Sequence, residues 1–282
     1  MDKHFLDLKD GRLTAESAPQ VHLYAVLGTE SVSLMGVDAT DMVLAVETWH
    51  YAGAGKPFAL LEGDVRRLLK ESAIWGLSYS QIHGCLFHPY ITLVPRRLFQ
   101  HGDLSGYFKL LLPSGDFVYA YEELPELDAY LVSATEKAQA NLFNELFPSA
   151  RHRHLAAPLL RFVRETSGAQ EHTVFLNLRH QTAQVIVLER QNLLFYNTFQ
   201  FATASDLLYY ALLVYDQFRL KPAEIPLLLA GTILPDSELY RVLYRFVREM
   251  QFVTPPGLAQ SSSNPETLPA HCLVDLFCLK KY

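Results

Sequence analysis

The chain has 282 residues and a formal net charge of −6; half of its residues are hydrophobic and 19% are charged. This composition excludes an intrinsically disordered chain, and the acidic balance argues against a nucleic-acid binder. No apolar run approaches the roughly 20 residues that span a bilayer, and the three cysteines form no CxxC pair. We therefore expect a globular cytoplasmic protein with no membrane span, in which no catalytic motif is self-evident.

The charge is distributed unevenly along the chain. The first 150 residues carry 11 Lys/Arg and 19 Asp/Glu, and the remainder carries 13 and 11. Such an asymmetry is typical of two lobes with different surfaces.

Alternation of apolar and polar residues and turn signals predict the elements of the first half. Strands are expected over 21–27, 31–37 and 42–49 as an antiparallel meander, followed by a helix over 60–74 and strands over 84–94 and 108–121. Residues 122–165 are expected to be mostly helical, because 128–147 is rich in helix formers.

The same order of elements returns in the second half. Strands are expected over 174–178, 183–188 and 193–201, then a helix after Thr203, a buried strand over 225–230 and a helix over 237–250. The Pro- and Ser-rich segment 254–269 reads as a loop. For the tail 270–282, both strand and helix remain open.

A shift of 151 positions lays Leu23–Ala52 on Val174–Thr203 without a gap, so that turns and apolar positions coincide. A strand–turn–strand–turn–strand–helix unit given twice predicts two duplicated α/β lobes, 1–165 and 166–282. The alternative is that two unrelated meanders align by chance.

This duplicated pattern resembles the actin-like ATPase superfamily over residues 20–250. The segment 225–231, followed by a helix from Ser237, resembles the strand–turn–helix that holds adenosine there. The turn 27–31 and the tail 268–279 are more closely similar to a small bacterial family of unknown function with this fold. The resemblance implies duplicated ribonuclease H-like lobes, each a mixed sheet with a three-stranded antiparallel meander and flanking helices.

In that superfamily each first strand ends in Asp and a Gly/Ser/Thr-rich turn. The Asp serves Mg²⁺ or the attacking water, and backbone N–H groups hold phosphate. Here the first turn has no preceding Asp, and Glu30 adds a negative charge where phosphate is expected. The second turn has Asn177 near the Asp position and no glycine, and Gly231 stands where the superfamily has a glycine pair. Because phosphoryl transfer relies on positioning and charge neutralisation around Mg²⁺, we do not expect ATP hydrolysis.

The sequence therefore favours a non-hydrolysing interaction or scaffold module that binds a protein partner or a second copy, with no cofactor. The alternative is a divergent kinase or ATPase, or a nucleotide sensor, with ATP and Mg²⁺ between the lobes. No catalytic residue and no metal ligand are assigned. Under the alternative, the nucleotide-binding residues are Gly28, Thr29, Ser31, Asn177, Thr182 and Gly231.

Further clusters have both a binding and a structural interpretation. Two cysteines lie near histidines and have the residue types of a Cys–His nucleophile, although buried free thiols are common. The basic clusters are typical either of a site for an anion, a metal or an acidic partner, or of solvated surface. The acidic cluster is either a carboxylate site or a set of favourable charges at a helix start, and the tyrosine groups are either part of a cofactor site or packing residues. The clusters are His83/Cys85/His88, His271/Cys272, Arg179/His180, Arg151–His154, Glu122/Glu123/Glu126/Asp128, Tyr209/Tyr210/Tyr215 and Tyr240/Tyr244.

Overall fold

The computed structural model describes residues 3–51, 55–256 and 269–281. They fall into two units, of which unit 1 is Met1–Pro158 with Leu279–Tyr282 and unit 2 is Leu159–Cys278. The elements of each unit are given in chain order below.

Unit 1 is built on a mixed five-stranded sheet. Strand β2 is parallel to β5, and the remaining pairs are antiparallel, in the order β1-β4-β3-β2-β5. The three meander strands are buried almost throughout, so that polar as well as apolar positions of these strands are covered within the protein. The elements are β1 (Lys3–Lys9), β2 (Val21–Leu27), β3 (Ser31–Asp38), β4 (Val43–His50), α1 (Glu62–Glu71) and β5 (Gln81–Leu86).

A second, three-stranded antiparallel sheet follows in unit 1. Its strands β6 (Ile91–Pro95), β7 (Phe117–Leu124) and β8 (Ala129–Glu136) are ordered β6-β8-β7, and α2 (Lys137–Leu146) comes next. The prediction of a helix over 128–147 is therefore wrong for its first half. Strand β8 lies in the centre of the sheet and pairs on both sides, and these pairings override its local helix propensity.

Unit 2 contains the other five-stranded sheet, in the order β11-β10-β9-β12-β13, with β9, β12 and β13 parallel. Helix α4 begins with a capping box, in which Asp206 N donates to Thr203 Oγ1 and Thr203 N donates to the Asp206 carboxylate. The tail, left open between strand and helix, is helical. The elements are α3 (Ala156–Ser167, which begins in unit 1), β9 (His172–Arg179), β10 (Thr182–Glu189), β11 (Asn192–Gln200), α4 (Ala204–Gln217), β12 (Leu227–Gly231), α5 (Glu238–Tyr244), β13 (Met250–Phe252) and α6 (Val274–Lys281, whose last residues belong to unit 1).

The two large sheets share one arrangement of four strands, since β4-β3-β2-β5 corresponds to β11-β10-β9-β12. Strands β3 and β10 lie 151 residues apart at both ends. The register also corresponds, because Leu86 opposes Leu27 and Gly231 opposes Leu178. The predicted mixed sheets with an antiparallel meander are confirmed. The origin of the pair by duplication, and the domain limits 1–165 and 166–282, stay predictions; most of the predicted loop 254–269 lies outside the described residues.

Candidate functional site

The first candidate turn joins β2 to β3 in unit 1, and its main chain is closed by bonds from within the unit. Gly28 N donates to Ser31 O at 2.9 Å, and Tyr51 N donates to Glu30 O at 3.0 Å. The Tyr51 hydroxyl donates to Gly28 O and lies 3.3 Å from Ser31 O. Gly28, Ser31 and Tyr51 are buried, while Thr29 is half-buried. The carbonyl groups on both sides of this turn are therefore already hydrogen-bonded within the protein.

The side chain of Glu30 is part of the same turn. Glu30 is only 3% exposed, so its carboxyl group lies inside the fold and not in solvent. This carboxyl group brings oxygen atoms and no positive charge to the turn, whereas a phosphate group is held by N–H donors and cations. The turn is therefore unfavourable for a phosphate group.

The end of β2 is also bonded to neighbouring elements. Leu27 O accepts from Phe87 N at 3.0 Å and from Gln139 Nε2 at 3.2 Å. The same Gln139 amide donates to Phe87 O at 3.2 Å. Gln139, from α2, is fully buried, and it ties the ends of β2 and β5 together.

The second candidate turn joins β9 to β10 in unit 2 and is held by a buried polar network. The Arg179 guanidinium bonds the carboxylate of Asp275 on α6. Asn177 Nδ2 donates to Asp275 Oδ1 and to Gln184 Oε1, each at 2.7 Å. All four residues are at most 6% exposed. Because both groups are withdrawn from water, each charge has to be compensated within the protein, and Arg179 and Asp275 compensate each other.

The network extends through Gln184 to Tyr196. Gln184 Nε2 donates to the Tyr196 hydroxyl oxygen at 3.0 Å. Burial raises the pKa of Tyr196 above its ordinary value, so the phenol stays protonated at neutral pH. A carboxylate is thus present beside Asn177, although the turn itself has none, and Arg179 neutralises its charge.

The backbone around position 231 explains why a glycine is found there. Its φ is +82°, and a Cβ at this position would lie 2.0 Å from Leu178 O and 2.7 Å from Asn177 Oδ1. Thr232 N donates to Leu178 O at 2.8 Å, and His180 N donates to Thr232 Oγ1 at 3.1 Å. The end of β12 is bonded directly to the end of β9, and this contact requires a residue without a side chain.

The candidate residues thus form one group in each unit. Gly28, Thr29 and Ser31 share the first turn. In unit 2, Asn177 is adjacent to Gly231, while the buried Thr182 opposes Arg179 across the hairpin. Sequence reasoning missed Tyr51, Thr232 and Asp275. The available signal for the last was a single acidic residue within the apolar stretch 272–279.

The cysteine clusters do not have the features of activated nucleophiles. The buried Cys85 thiol donates to the carbonyls of Arg153 at 3.4 Å and Leu86 at 3.6 Å. Burial raises the pKa of the Cys272 thiol to about 12, so it is not a thiolate at neutral pH. His271 Nε2 bonds Ile233 O at 2.7 Å. These contacts support the structural interpretation of both cysteines.

The charged clusters are divided among separate partners. Within 151–154, Arg153 pairs with Glu122 at 2.8 Å and His152 bonds Asn144 at 2.6 Å. Glu123, adjacent to Glu122, pairs instead with Arg96 at 2.5 Å. The helix-dipole explanation is wrong for Glu122 and Glu123, because both lie on strand β7. In the described part of the chain, no group of three or more His, Cys, Asp or Glu residues has the geometry of a metal site.

The tyrosine clusters serve packing. The buried Tyr215 donates its hydroxyl to Ile225 O at 3.0 Å, and Tyr210 stacks on Phe199 with ring centroids 4.6 Å apart. Tyr240 and Tyr244 stack on each other at 5.9 Å.

Within the described ranges, no helix is long and apolar enough to cross a membrane.

Two solved structures share this fold across nearly the whole chain. A protein from Bacteroides thetaiotaomicron with an actin-like ATPase fold and unknown function has a TM-score of 0.74 at 18% identity, covering 96% of this chain and 100% of that one. The PilM–PilN type IV pilus biogenesis complex matches with a TM-score of 0.55 at 11% identity, covering 92% and 97%. At these identities the likeness shows the fold, which is that of the actin-like ATPases.

A search of curated proteins gave no match. A family model described as "Protein of unknown function (DUF3822)" matches residues 10–250, which is most of the sequence. The chain therefore belongs to this family of unknown function, and it has the actin-like ATPase fold.

Proposed function

We propose that this protein is an actin-like module that does not hydrolyse ATP and acts by binding a protein, either a partner or a second copy. One observation carries the proposal: in the second turn, the Asp275 carboxylate occupies the polar groups of Asn177 and Arg179. An anionic ligand at those groups would have to displace a buried carboxylate and leave it without its cation, at a cost of several kcal/mol.

The first turn supports the same function. The buried carboxyl group of Glu30 brings no positive charge to the turn, and Tyr51 holds the turn carbonyls in place. PilM, which has the same fold, has been solved in a complex with PilN, so the fold is compatible with a protein partner. The proposal includes a cytoplasmic location, which the low cysteine content supports.

The test is to measure nucleotide binding and phosphate release on the full chain. We expect no thermal stabilisation by millimolar Mg·ATP and no phosphate release above the rate of the buffer. An active ATPase assayed in parallel shows that the assay detects turnover. Phosphate release that rises with protein concentration would overturn the proposal.

Saturable ATP binding without turnover would favour a nucleotide sensor instead. In that case Thr29→Asp, at the half-buried position of the first turn, should abolish binding by adding a negative charge there. The matched control is Gln191→Asp in the exposed β10–β11 turn, which adds the same charge outside the candidate site. Gly231 is unsuitable as a probe, because a side chain there collides with Leu178 O whether or not a nucleotide binds.

A further inference from the structure

Strand β11 lies at the edge of the sheet in unit 2. It has nine residues, pairs with β10 on one side, and has no strand on its other side among the residues that the structure describes. None of the nine is fully buried, although Phe195 and Phe199 pack against the core of unit 2 and the Tyr196 hydroxyl bonds Gln184, and none is charged. An exposed edge strand of this length without charge or proline is a template for pairing with another strand.

The other sheet edges of the described structure are shorter, and they carry charge or proline or are partly covered. Strand β1 has three charged residues among its seven, and β13 has only three residues. Strand β6 ends in a proline, and β7 has two glutamates, both in ion pairs. The outer side of β5 bonds the segment 153–155 through Leu86 N and Leu86 O. Among these edges, β11 is the longest strand without a charged residue.

The corresponding edge of unit 1 is covered by an additional strand. Strand β4 is the counterpart of β11, and β1 pairs antiparallel along its outer side from Lys3↔His50 to Lys9↔Ala45. Seven of the eight residues of β4 are buried. This arrangement of strands therefore accommodates an antiparallel neighbour at the position that is open beside β11.

The backbone groups that point outward from β11 can be identified from the ladder. Phe201 N donates to Gln181 O at 2.9 Å, on the β10 side. Because alternate residues of an antiparallel strand face opposite sides, Tyr196, Thr198 and Gln200 direct their N–H and C=O groups away from β10. The Thr198 N–H bonds the neighbouring Asn197 side chain at 2.9 Å, a bond that an incoming strand can replace.

The composition of this edge fits a second copy of the same strand. In an antiparallel pair about a two-fold axis, β11 would lie against its own sequence, and no like charges would oppose each other because the strand has none. Apolar surface continues onto α4, where Tyr209 is 62% and Leu213 40% exposed. Helix α4 lies beside the strand, since Tyr210 stacks on Phe199.

We propose that β11 pairs antiparallel with β11 of a second copy and joins the two five-stranded sheets across a two-fold axis. This inference rests on the proposed function, because it names the partner of the interaction module. A two-fold interface of this kind is closed, so assembly stops at the dimer.

The first experiment measures the mass of the full chain by sedimentation velocity over a wide range of concentrations. We expect twice the chain mass of 32.0 kDa at high concentration. Thr198→Pro should weaken the dimer by about tenfold or more, because it removes an outward N–H and places a ring at the interface. It leaves the β10 ladder intact. The matched control is Leu110→Lys, which removes a 98% exposed apolar side chain from unit 1 and should leave the mass unchanged.

The second experiment needs no substitution. Amide exchange read by NMR should slow at Tyr196 and Gln200 as the concentration rises, whereas Phe195, Asn197 and Phe199 should be protected throughout by β10. A monomer at all concentrations, or a dimer in which Tyr196 and Gln200 exchange as fast as in the monomer, would overturn the proposal. Growth beyond the dimer would also overturn it.

The two proposals fail separately. A dimer that releases phosphate from ATP would overturn the proposed function and leave the β11 pairing intact. A monomer that neither binds nor hydrolyses ATP would overturn the β11 pairing and leave a module that binds a different protein.

Discussion

The turns that follow β2 and β9 share their main-chain hydrogen bonds and differ in the side chains that close them. In unit 1, Leu27 O accepts from Phe87 N at 3.0 Å; in unit 2, the corresponding Leu178 O accepts from Thr232 N at 2.8 Å. Each bond joins the end of a meander strand to the residue that follows its parallel neighbour. The fold thus fixes these bonds in both units.

The two turns share a second main-chain hydrogen bond, and the residues that donate it differ in their side chains. Tyr51 N donates to Glu30 O, and Phe201 N donates to Gln181 O at 2.9 Å. Tyr51 adds a hydroxyl that bonds the first turn, whereas Phe201 has none, and the second turn is held by Asp275 instead. The same strand framework therefore accepts a neutral phenol in one unit and an ion pair in the other, so turn chemistry can change without changing the fold.

The largest effect is expected from Asp275→Ala, which removes the carboxylate that holds the second turn. The substitution leaves the Arg179 charge buried without its partner, and we expect the free energy of unfolding to fall by about 3–5 kcal/mol. Chemical denaturation measures this loss. Asp236→Ala, at an exposed position, is the control and should change stability by less than about 0.5 kcal/mol.

A double variant separates the charge from the packing. Asp275→Leu with Arg179→Met replaces the pair with apolar residues and should recover most of the lost stability, because no buried charge remains. If Asp275→Ala costs no more than the surface control, the ion pair does not hold the turn and the contrast between the units disappears.

The next effect is expected at the end of β12. Gly231→Ala should lower the free energy of unfolding by about 2–4 kcal/mol, because the Cβ would overlap Leu178 O at 2.0 Å and φ is +82°. Its counterpart in unit 1 is Leu86. The strand arrangement itself therefore accepts a side chain at this register position, and the requirement for glycine comes from the local backbone at position 231. Thermal and chemical unfolding measure the loss.

Gly36→Ala on β3 is the matched glycine control. The nearest atom to its added Cβ is 3.5 Å away, an ordinary contact, so we expect a change of about 1 kcal/mol or less. Equal losses for the two variants would show that the contact between Gly231 and Leu178 does not require glycine.

The strands of both meanders could be predicted from the sequence because apolar alternation and turn residues are local signals. β3 and β10 were each predicted to within one residue at either end. The N-terminal strand β1 was missed, although its alternating apolar and charged residues fit an edge strand. β8 was misassigned because its pairings with β6 and β7 are not visible in its own composition.

The candidate site could be predicted only in part. The absence of Asp from both turns can be read directly, but the side chains that hold the second turn come from distant parts of the sequence. Asp275 is 98 residues from Asn177 and 96 from Arg179. Spacing carries no information at that separation, since tertiary packing of α6 decides which side chain meets the turn.

A smaller effect is expected from Tyr51→Phe, which gives unit 1 the residue type found at Phe201. It removes the hydroxyl bonds to Gly28 O and Ser31 O, and we expect a loss of about 1–2 kcal/mol in the free energy of unfolding. Tyr209→Phe, on the exposed face of α4, is the control and should have no measurable effect. An unchanged stability in Tyr51→Phe would mean that the shared main-chain bonds alone hold the first turn.

The smallest effect compares one histidine from each unit. Burial and the neighbouring His154 hold the pKa of His88 well below its ordinary value, whereas the pKa of His271 is lowered by burial and partly restored by its bond to Ile233 O. Each folded unit keeps its histidine neutral, and the unfolded chain takes up a proton below about pH 6.5. The unfolded state therefore binds more protons, and stability falls as the pH drops.

Between pH 7 and 6, His88 should account for a loss of about 0.7 kcal/mol in the free energy of unfolding, and His271 for less. The measurement is the slope of stability against pH in His88→Gln and His271→Gln, whatever their absolute stability. His88→Gln should flatten the slope more, because nothing offsets the burial of His88, whereas the Ile233 carbonyl favours the protonated form of His271. A larger change of slope in His271→Gln would reverse the order, and burial would then not be the dominant cause in unit 1.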